Sequence, residues 1–314
     1  MVHAPEITDY VKDAAHKLDV VSDEVDAVNV LKLQNKEAAA AAAAEFDAES
    51  KFDAEKDKTA FRQYEDACDR VKNFYAEQHR KQTLEYNINI RKQFQNTVRA
   101  RMTIWEAMEL LEKLVDESDP DTSVGQIEHL LQTAEAIRRD GKPDWMQLTG
   151  LVHDLGKLLC FFGAEGQWDV VGDTFVVGCK FSDKIIYPET FKENPDYNDP
   201  KLQTELGIYE PNCGLDNVLL SWGHDEYIYD VLRRQSTLPK AALSMLRYHS
   251  FYPWHREGAY RHLMNADDYE QLKAVEAFNP YDLYSKSDSP PKVDELKEYY
   301  QALIDKYIPG EIEW

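Results

Sequence analysis

An imidazole and a carboxylate stand side by side in Leu151-Val152-His153-Asp154-Leu155-Gly156-Lys157, inside an otherwise apolar segment. A carboxylate withdrawn from water is costly unless a cation neutralises it, and deprotonated His and Asp are both metal ligands. A metal ion is therefore the first chemistry this stretch suggests. Successive helical side chains diverge by about 100°, so both groups reach one site only if it lies between their directions or is more than one ion wide. A carboxylate bridging two ions meets that condition. Lys157, three residues beyond Asp154, lies on the same helical face and brings an ammonium to the edge of the site. The same seven residues also read as an amphipathic core helix with a satisfied histidine and a capped aspartate, and alone they do not choose.

The elements around this stretch read as helices. Ile127, Leu130, Leu131, Ala134 and Ile137 keep core spacing up to Gly141 and leave His129 at the edge of the apolar stripe; Pro143 then opens the helix that holds the motif. Upstream, Phe61 to Arg91 carries aromatics and charges at helical spacing, and Ile104 starts a second helix that ends near Asp116-Glu117-Ser118-Asp119-Pro120-Asp121. If these acids face a pocket rather than solvent, they offer several hydrogen-bond acceptors at once. Between Gly163 and Gly214 the pattern breaks; Val170 to Val177 reads as a small β-hairpin turning at Gly172-Asp173, within a loop region long enough to serve as a lid. Helical signal returns at 215–232, at 239–249 and at 267–278, followed by a turn at Asn279-Pro280 and a last helix from Val293 to Tyr307. The fold class is all-α, a helical bundle with a small β-hairpin and a long loop region.

The chain has 314 residues, enough for a real core. Residues 1–58 are acidic, poor in aromatics and include seven consecutive alanines from Ala38 to Ala44, which favour helix but offer little surface to bury. They read as a mobile extension, and 59–314 as one domain. With 58 Asp and Glu against 36 Lys and Arg, the formal charge of -22 argues against nucleic acid or an anionic membrane as partner. Four widely spaced cysteines without a Cys-x-x-Cys pair suggest neither a disulfide framework nor a zinc-thiolate site. No apolar run approaches a membrane span, and the N-terminus lacks a secretion signal. A soluble, cytoplasmic monomer is expected.

The order His129, His153-Asp154, Asp282 resembles that of the HD-domain metal proteins, and His224 and His249 lie between, as in the HD members that hold two metals. The resemblance is closer to the inositol oxygenase family. Its signature blocks are matched in order by Phe61-Arg62-Gln63-Tyr64, Asp116 to Asp121, Leu151 to Lys157, Val171-Gly172-Asp173-Thr174-Phe175, Ser221-Trp222-Gly223-His224-Asp225-Glu226-Tyr227, His249-Ser250-Phe251-Tyr252-Pro253-Trp254-His255 and Asp282-Leu283-Tyr284. The first sixty residues have no counterpart.

The resemblance implies a non-haem enzyme that cleaves the ring of myo-inositol with dioxygen to give D-glucuronate, the first step of inositol catabolism. It implies two iron ions, mixed-valent Fe(II)/Fe(III), one held by His129, His153 and Asp154 and the other by His224, His249 and Asp282, bridged by Asp154 and a hydroxide or water. Ligand type alone is also compatible with manganese or zinc. Lys157 would act catalytically on a substrate hydroxyl, and Arg62, Asp116, Glu117, Ser118, Gly172, Asp173, His249 and Ser250 match substrate-contacting positions. His3, His16, His79, His255 and His262 stay outside the metal set. An HD-domain metal-dependent phosphohydrolase is the alternative; it wants a basic phosphate pocket, and the acidic blocks argue against one. A non-enzymatic di-iron oxygen or metal binder leaves Lys157 and the acidic loop unexplained.

Overall fold

The computed structural model describes residues 69–95, 97–116, 118, 125–285 and 291–314, together with Phe52, Lys56, Arg62 and Tyr64. The extension through residue 51, like Glu117, lies outside the described residues.

Ten α-helices are present among the described residues: α1 (Asp69–Lys81), α2 (Leu84–Phe94), α3 (Ile104–Leu111), α4 (Gln126–Arg139), α5 (Asp144–Val152), α6 (His224–Gln235), α7 (Lys240–Tyr248), α8 (Tyr252–His255), α9 (Ala266–Tyr284) and α10 (Val293–Tyr307). The all-α expectation holds. The single helical stretch read through Arg91 is in fact two helices, because the Thr83 side chain accepts the amide of Tyr86 and caps a new start. At the head of α3, Thr103 and Glu106 form a reciprocal capping box, satisfying amides that the helix itself cannot.

The core lies around α4. Residues 129 to 137 of this helix are all buried, so α4 is covered on every side rather than along one stripe. Its closest neighbour is α5, and Gly150 makes that approach possible: a Cβ there would stand 2.8 Å from the Ile137 side chain and 3.1 Å from the Ala134 backbone. α6 packs on α7, and α9 packs on α7 and α4.

Three local expectations are corrected. The helix opened by Pro143 does not run through the motif. It changes at His153 to a 3-10 helix, His153–Phe161, which packs against α6. The hairpin read at 170–177 does not form. Val171, Phe175, Val176 and Val177 are buried on both sides, and their backbone partners are distant in sequence: Thr174 N donates to Ser250 O, Val177 N to Leu219 O, and Val176 bridges Leu220. The small sheet is instead β1 (Arg101–Met102) against β2 (Ile312–Glu313), antiparallel, which ties the buried C-terminal Trp314 to the start of α3. Finally, α9 does not stop at Asn279-Pro280 but runs on to Tyr284 with Pro280 inside it. Burial of Phe278, Tyr281, Leu283 and Tyr284 outweighs the local cost of the proline, about 3 kcal/mol.

From Gly163 to Gly214 the chain forms short 3-10 turns with a core of their own, Phe175, Val177, Phe181, Ile185 and Phe191. No described helix is long and apolar enough to cross a membrane.

Candidate metal centre

Five elements deliver the six expected ligands to one buried place. His129 comes from the first turns of α4, His153 and Asp154 from the start of the 3-10 helix, His224 from the first residue of α6, His249 from the end of α7 and Asp282 from the last turn of α9. In a 3-10 helix residues three apart eclipse one another, which stacks Lys157 over Asp154. Lys157 Nζ reaches Asp154 Oδ2 at 2.9 Å.

The two oxygens of Asp154 face opposite ways. Oδ2 lies 3.6 Å from both His129 Nε2 and His153 Nε2, while Oδ1 lies 3.5 Å from His224 Nε2 and 3.6 Å from His249 Nε2. Asp282 Oδ1 stands 3.1 Å from His129 Nε2 and 3.2 Å from His153 Nε2. The partition implied by the resemblance is thus corrected: Asp282 sits with His129 and His153, not with His224 and His249. The cause is the continuation of α9 past Pro280, which points Asp282 at α4.

The donor set fits metal ions. Backbone carbonyls can only accept, so Nδ1 of His153 donates to Gly150 O at 2.8 Å, Nδ1 of His224 to Val170 O at 2.8 Å and Nδ1 of His249 to Leu246 O at 3.0 Å. That tautomer leaves each Nε2 with a lone pair aimed at the centre. His153 Nε2 is wholly buried and makes no hydrogen bond of acceptable geometry, although two carboxylate oxygens lie near it. The Nε2 atoms of His224 and His249 are 3.2 Å apart. Lone pairs facing lone pairs and carboxylates repel unless cations stand between them. Donors about 2.1 Å from one ion and at right angles would lie about 3 Å apart, close to the spacings found.

The facing charges of the cluster also set how its own groups hold protons. Burial works to raise the Asp154 and Asp282 carboxyls, yet Lys157 and His153 beside Asp154, and His153 and His129 beside Asp282, hold both well below the usual range. Burial works to lower His153 and His224, but the carboxylates facing them hold both above the ordinary imidazole value. Lys157 is half-buried between two acids, with Asp116 Oδ2 at 2.8 Å on its other side. Against burial, those two carboxylates hold its ammonium well above the ordinary lysine value.

The expected substrate-contacting residues that are described fall into three groups. Asp116 accepts from Ser118 N at 2.8 Å and Ser118 Oγ at 2.6 Å while bound to Lys157, so the acidic turn continues the Asp154-Lys157 chain. Arg62 donates to both oxygens of Asp173, at 3.2 and 2.6 Å, and lies over the Tyr252 ring with its guanidinium carbon 3.4 Å from the centroid. Gly172 holds φ +90 and has Phe74 2.7 Å from where a Cβ would be, so glycine is required before Asp173. Ser250 Oγ lies 3.2 Å from His224 Nε2 and donates to Asp225 Oδ1 at 3.0 Å.

Asp225 is the residue that sequence reasoning missed. It is fully buried, 2.8 Å from His224 Nε2 and 3.4 Å from His249 Nε2, and it also accepts the Ser250 amide at 3.0 Å. The signal was available, since His224-Asp225 repeats the His-Asp adjacency of His153-Asp154.

Residues 68–314 match the protein-family model described as Myo-inositol oxygenase. A probable inositol oxygenase of Oryza sativa subsp. japonica is 52% identical over 262 residues, covering 81% of this chain and 85% of its own. An inositol oxygenase of Dictyostelium discoideum is 51% identical over 270 residues, covering 84% and 92%. One of Rattus norvegicus is 47% identical over 264 residues, covering 82% and 92%.

Proposed function

The chain belongs to the myo-inositol oxygenase family, and from that premise we propose that its buried ligands hold two iron ions at which dioxygen opens the ring of myo-inositol to D-glucuronate. It is an enzyme, an oxygenase acting on inositol, and the His and Asp clusters supply a metal site. The observation that carries the two-ion reading is the orientation of Asp154, with one oxygen toward each histidine pair. His129, His153 and Asp282 would hold one ion, His224 and His249 the other, and Asp154 would bridge. Bound there, the pair would acidify substrate hydroxyls and activate dioxygen.

The chain's own residues do the rest. Lys157 keeps its proton between Asp116 and Asp154, so an ammonium stands ready to hold a substrate oxygen as it becomes an alkoxide. Asp116, fixed by Ser118, sets the direction of that ammonium. A neutral polyol offers no charge to grip, so selectivity rests on placed donors and acceptors. Arg62, Asp173, Ser250 and the acidic turn supply them, with the Arg62 guanidinium packed on the Tyr252 ring.

The phosphohydrolase reading is not favoured. The relatives are inositol oxygenases, and among the described residues the positive charges of Arg62 and Lys157 are offset by carboxylates, Arg62 by Asp173 and Lys157 by Asp116 and Asp154, which leaves a phosphate dianion no net positive charge to meet. The test is oxygen uptake and D-glucuronate formation by the iron-loaded chain with myo-inositol under air, beside a generic phosphate ester. Phosphate release without inositol-dependent oxygen uptake would reverse the conclusion.

A further inference from the structure

Behind the His224-His249 pair, α6 and α7 are joined a second time. Glu226 follows His224 by two residues and Arg247 precedes His249 by two. Side chains two apart on a helix point about 200° apart, so each helix shows a candidate ligand to the centre and a charge to its outer side. There Arg247 Nε donates to Glu226 Oε1 at 2.5 Å. Arg91 of α2 donates to Glu226 Oε2 at 3.3 Å and to Leu220 O at 2.7 Å, while Arg247 Nη1 reaches Asp216 Oδ1 at 2.9 Å.

The Glu226 and Arg247 side chains are only 11% and 8% exposed, although a cavity of about 750 Å³ opens on their solvent side. A buried ion pair is weak evidence for stability, because apolar residues of the same volume often do as well; what it supplies is a fixed direction. The hydrogen bonds of the two rings do not supply it. His249 Nδ1 is tied to its own helix at Leu246 O, and His224 Nδ1 to the loop at Val170 O. On the inner side the two helices meet through Ser250 and Asp225. Rotation of α6 against α7 needs a second point.

We propose that Glu226 and Arg247 are positioning residues for the second metal subsite: their ion pair sets the spacing and rotation of α6 against α7 so that the two Nε2 atoms converge. This rests on the two-ion reading above. Removing a group that hydrogen-bonds a metal ligand commonly changes metal affinity ten- to a hundredfold, and a pair that acts by placing the ligand-bearing helices falls at the lower end of that range.

The test is iron(II) titration of the full chain under anaerobic conditions, with bound metal counted by elemental analysis. Glu226→Gln and Arg247→Met should weaken the second equivalent tenfold or more and leave the first unchanged, and Arg247→Lys, which keeps the charge, should recover part of the loss. Two equivalents bound with wild-type affinity would overturn the proposal. So would weakening of both equivalents alike, in proportion to lost urea stability, because that is what a merely structural pair would do. Should Arg247→Met fail to fold, the volume-conserving Glu226→Gln and Arg247→Lys carry the same comparison. Wild-type protein that binds a single equivalent would overturn the two-ion reading, and this proposal with it.

Discussion

Gly156 lies so close to His224 that a Cβ on it would stand 2.0 Å from the His224 carbonyl oxygen and 2.6 Å from its carbon. This contact lets the 3-10 helix lie on α6 and brings Asp154 Oδ1 to His224. Gly156→Ala must push the two elements apart, since the clash is with backbone rather than with a side chain that can swing away. Overpacking of this kind costs about 1–3 kcal/mol or more. A lower urea midpoint together with weaker metal binding is expected; unchanged values for both would mean that the contact is not needed.

Asp154→Asn should lose one of the two metal equivalents along with activity. A neutral amide bridges cations poorly and gives them no counter-charge. Elemental analysis of the purified variant decides the point. Two irons and full turnover would contradict the bridging role.

Asp282→Asn should weaken the equivalent held by His129 and His153 and spare the one held by His224 and His249, because its oxygen lies 3.1 and 3.2 Å from the first pair. Spectroscopic titration that separates the two equivalents reads this. Loss confined to the other equivalent would restore the partition implied by the family resemblance.

Lys157→Ala should keep both irons and turn over 10²- to 10⁴-fold more slowly, the range for loss of a positioned proton-holding group. Without the ammonium, Asp116 loses the neighbour that holds its carboxyl below the usual range against burial. The slow residual rate should therefore acquire a new pH dependence. Near-normal turnover would remove Lys157 from the mechanism.

His79 makes the fold sensitive to acid. It is buried and stacked on Phe191, 4.0 Å between centroids, with Nδ1 2.7 Å from the Thr190 hydroxyl. That hydroxyl donates to Tyr187 O, so the imidazole is the donor in the first bond. Burial pushes the His79 pKa from 6.5 down to about 3. Below pH 6.5 the unfolded chain takes a proton that the folded protein refuses, so this contribution is whole above pH 6.5 and lost as pH falls toward 3. A shift of this size corresponds to about 5 kcal/mol at its full extent. His79→Phe should flatten the fall in urea midpoint between roughly pH 6.5 and 4.5. His255, pushed by burial to about 3 as well, keeps part of the slope. A variant with the wild-type slope would assign the acid sensitivity elsewhere.

The chain's own order of residues determined what kinds of groups are available: six nitrogen and oxygen ligands without thiolate, a lysine one turn from a His-Asp pair, and ordered blocks that resemble one family. It also determined helices whose signals are local, such as Val293–Tyr307, whose bounds were read as they stand. Tertiary packing alone decided which carboxylate meets which histidines. Asp282 is directed by a helix that continues through Pro280, because the apolar side chains around that proline gain more from burial than the local break would save. Packing also changed α-helix to 3-10 at His153 and drew the Val170–Val177 backbone to partners far along the chain. Asp225 was equally visible in the sequence, but its proximity to both His224 and His249 exists only where α6 meets α7. Local spacing fixes the direction of a side chain relative to its own element, whereas the distance between two ligands depends on how separate elements pack, and no spacing along the chain encodes that.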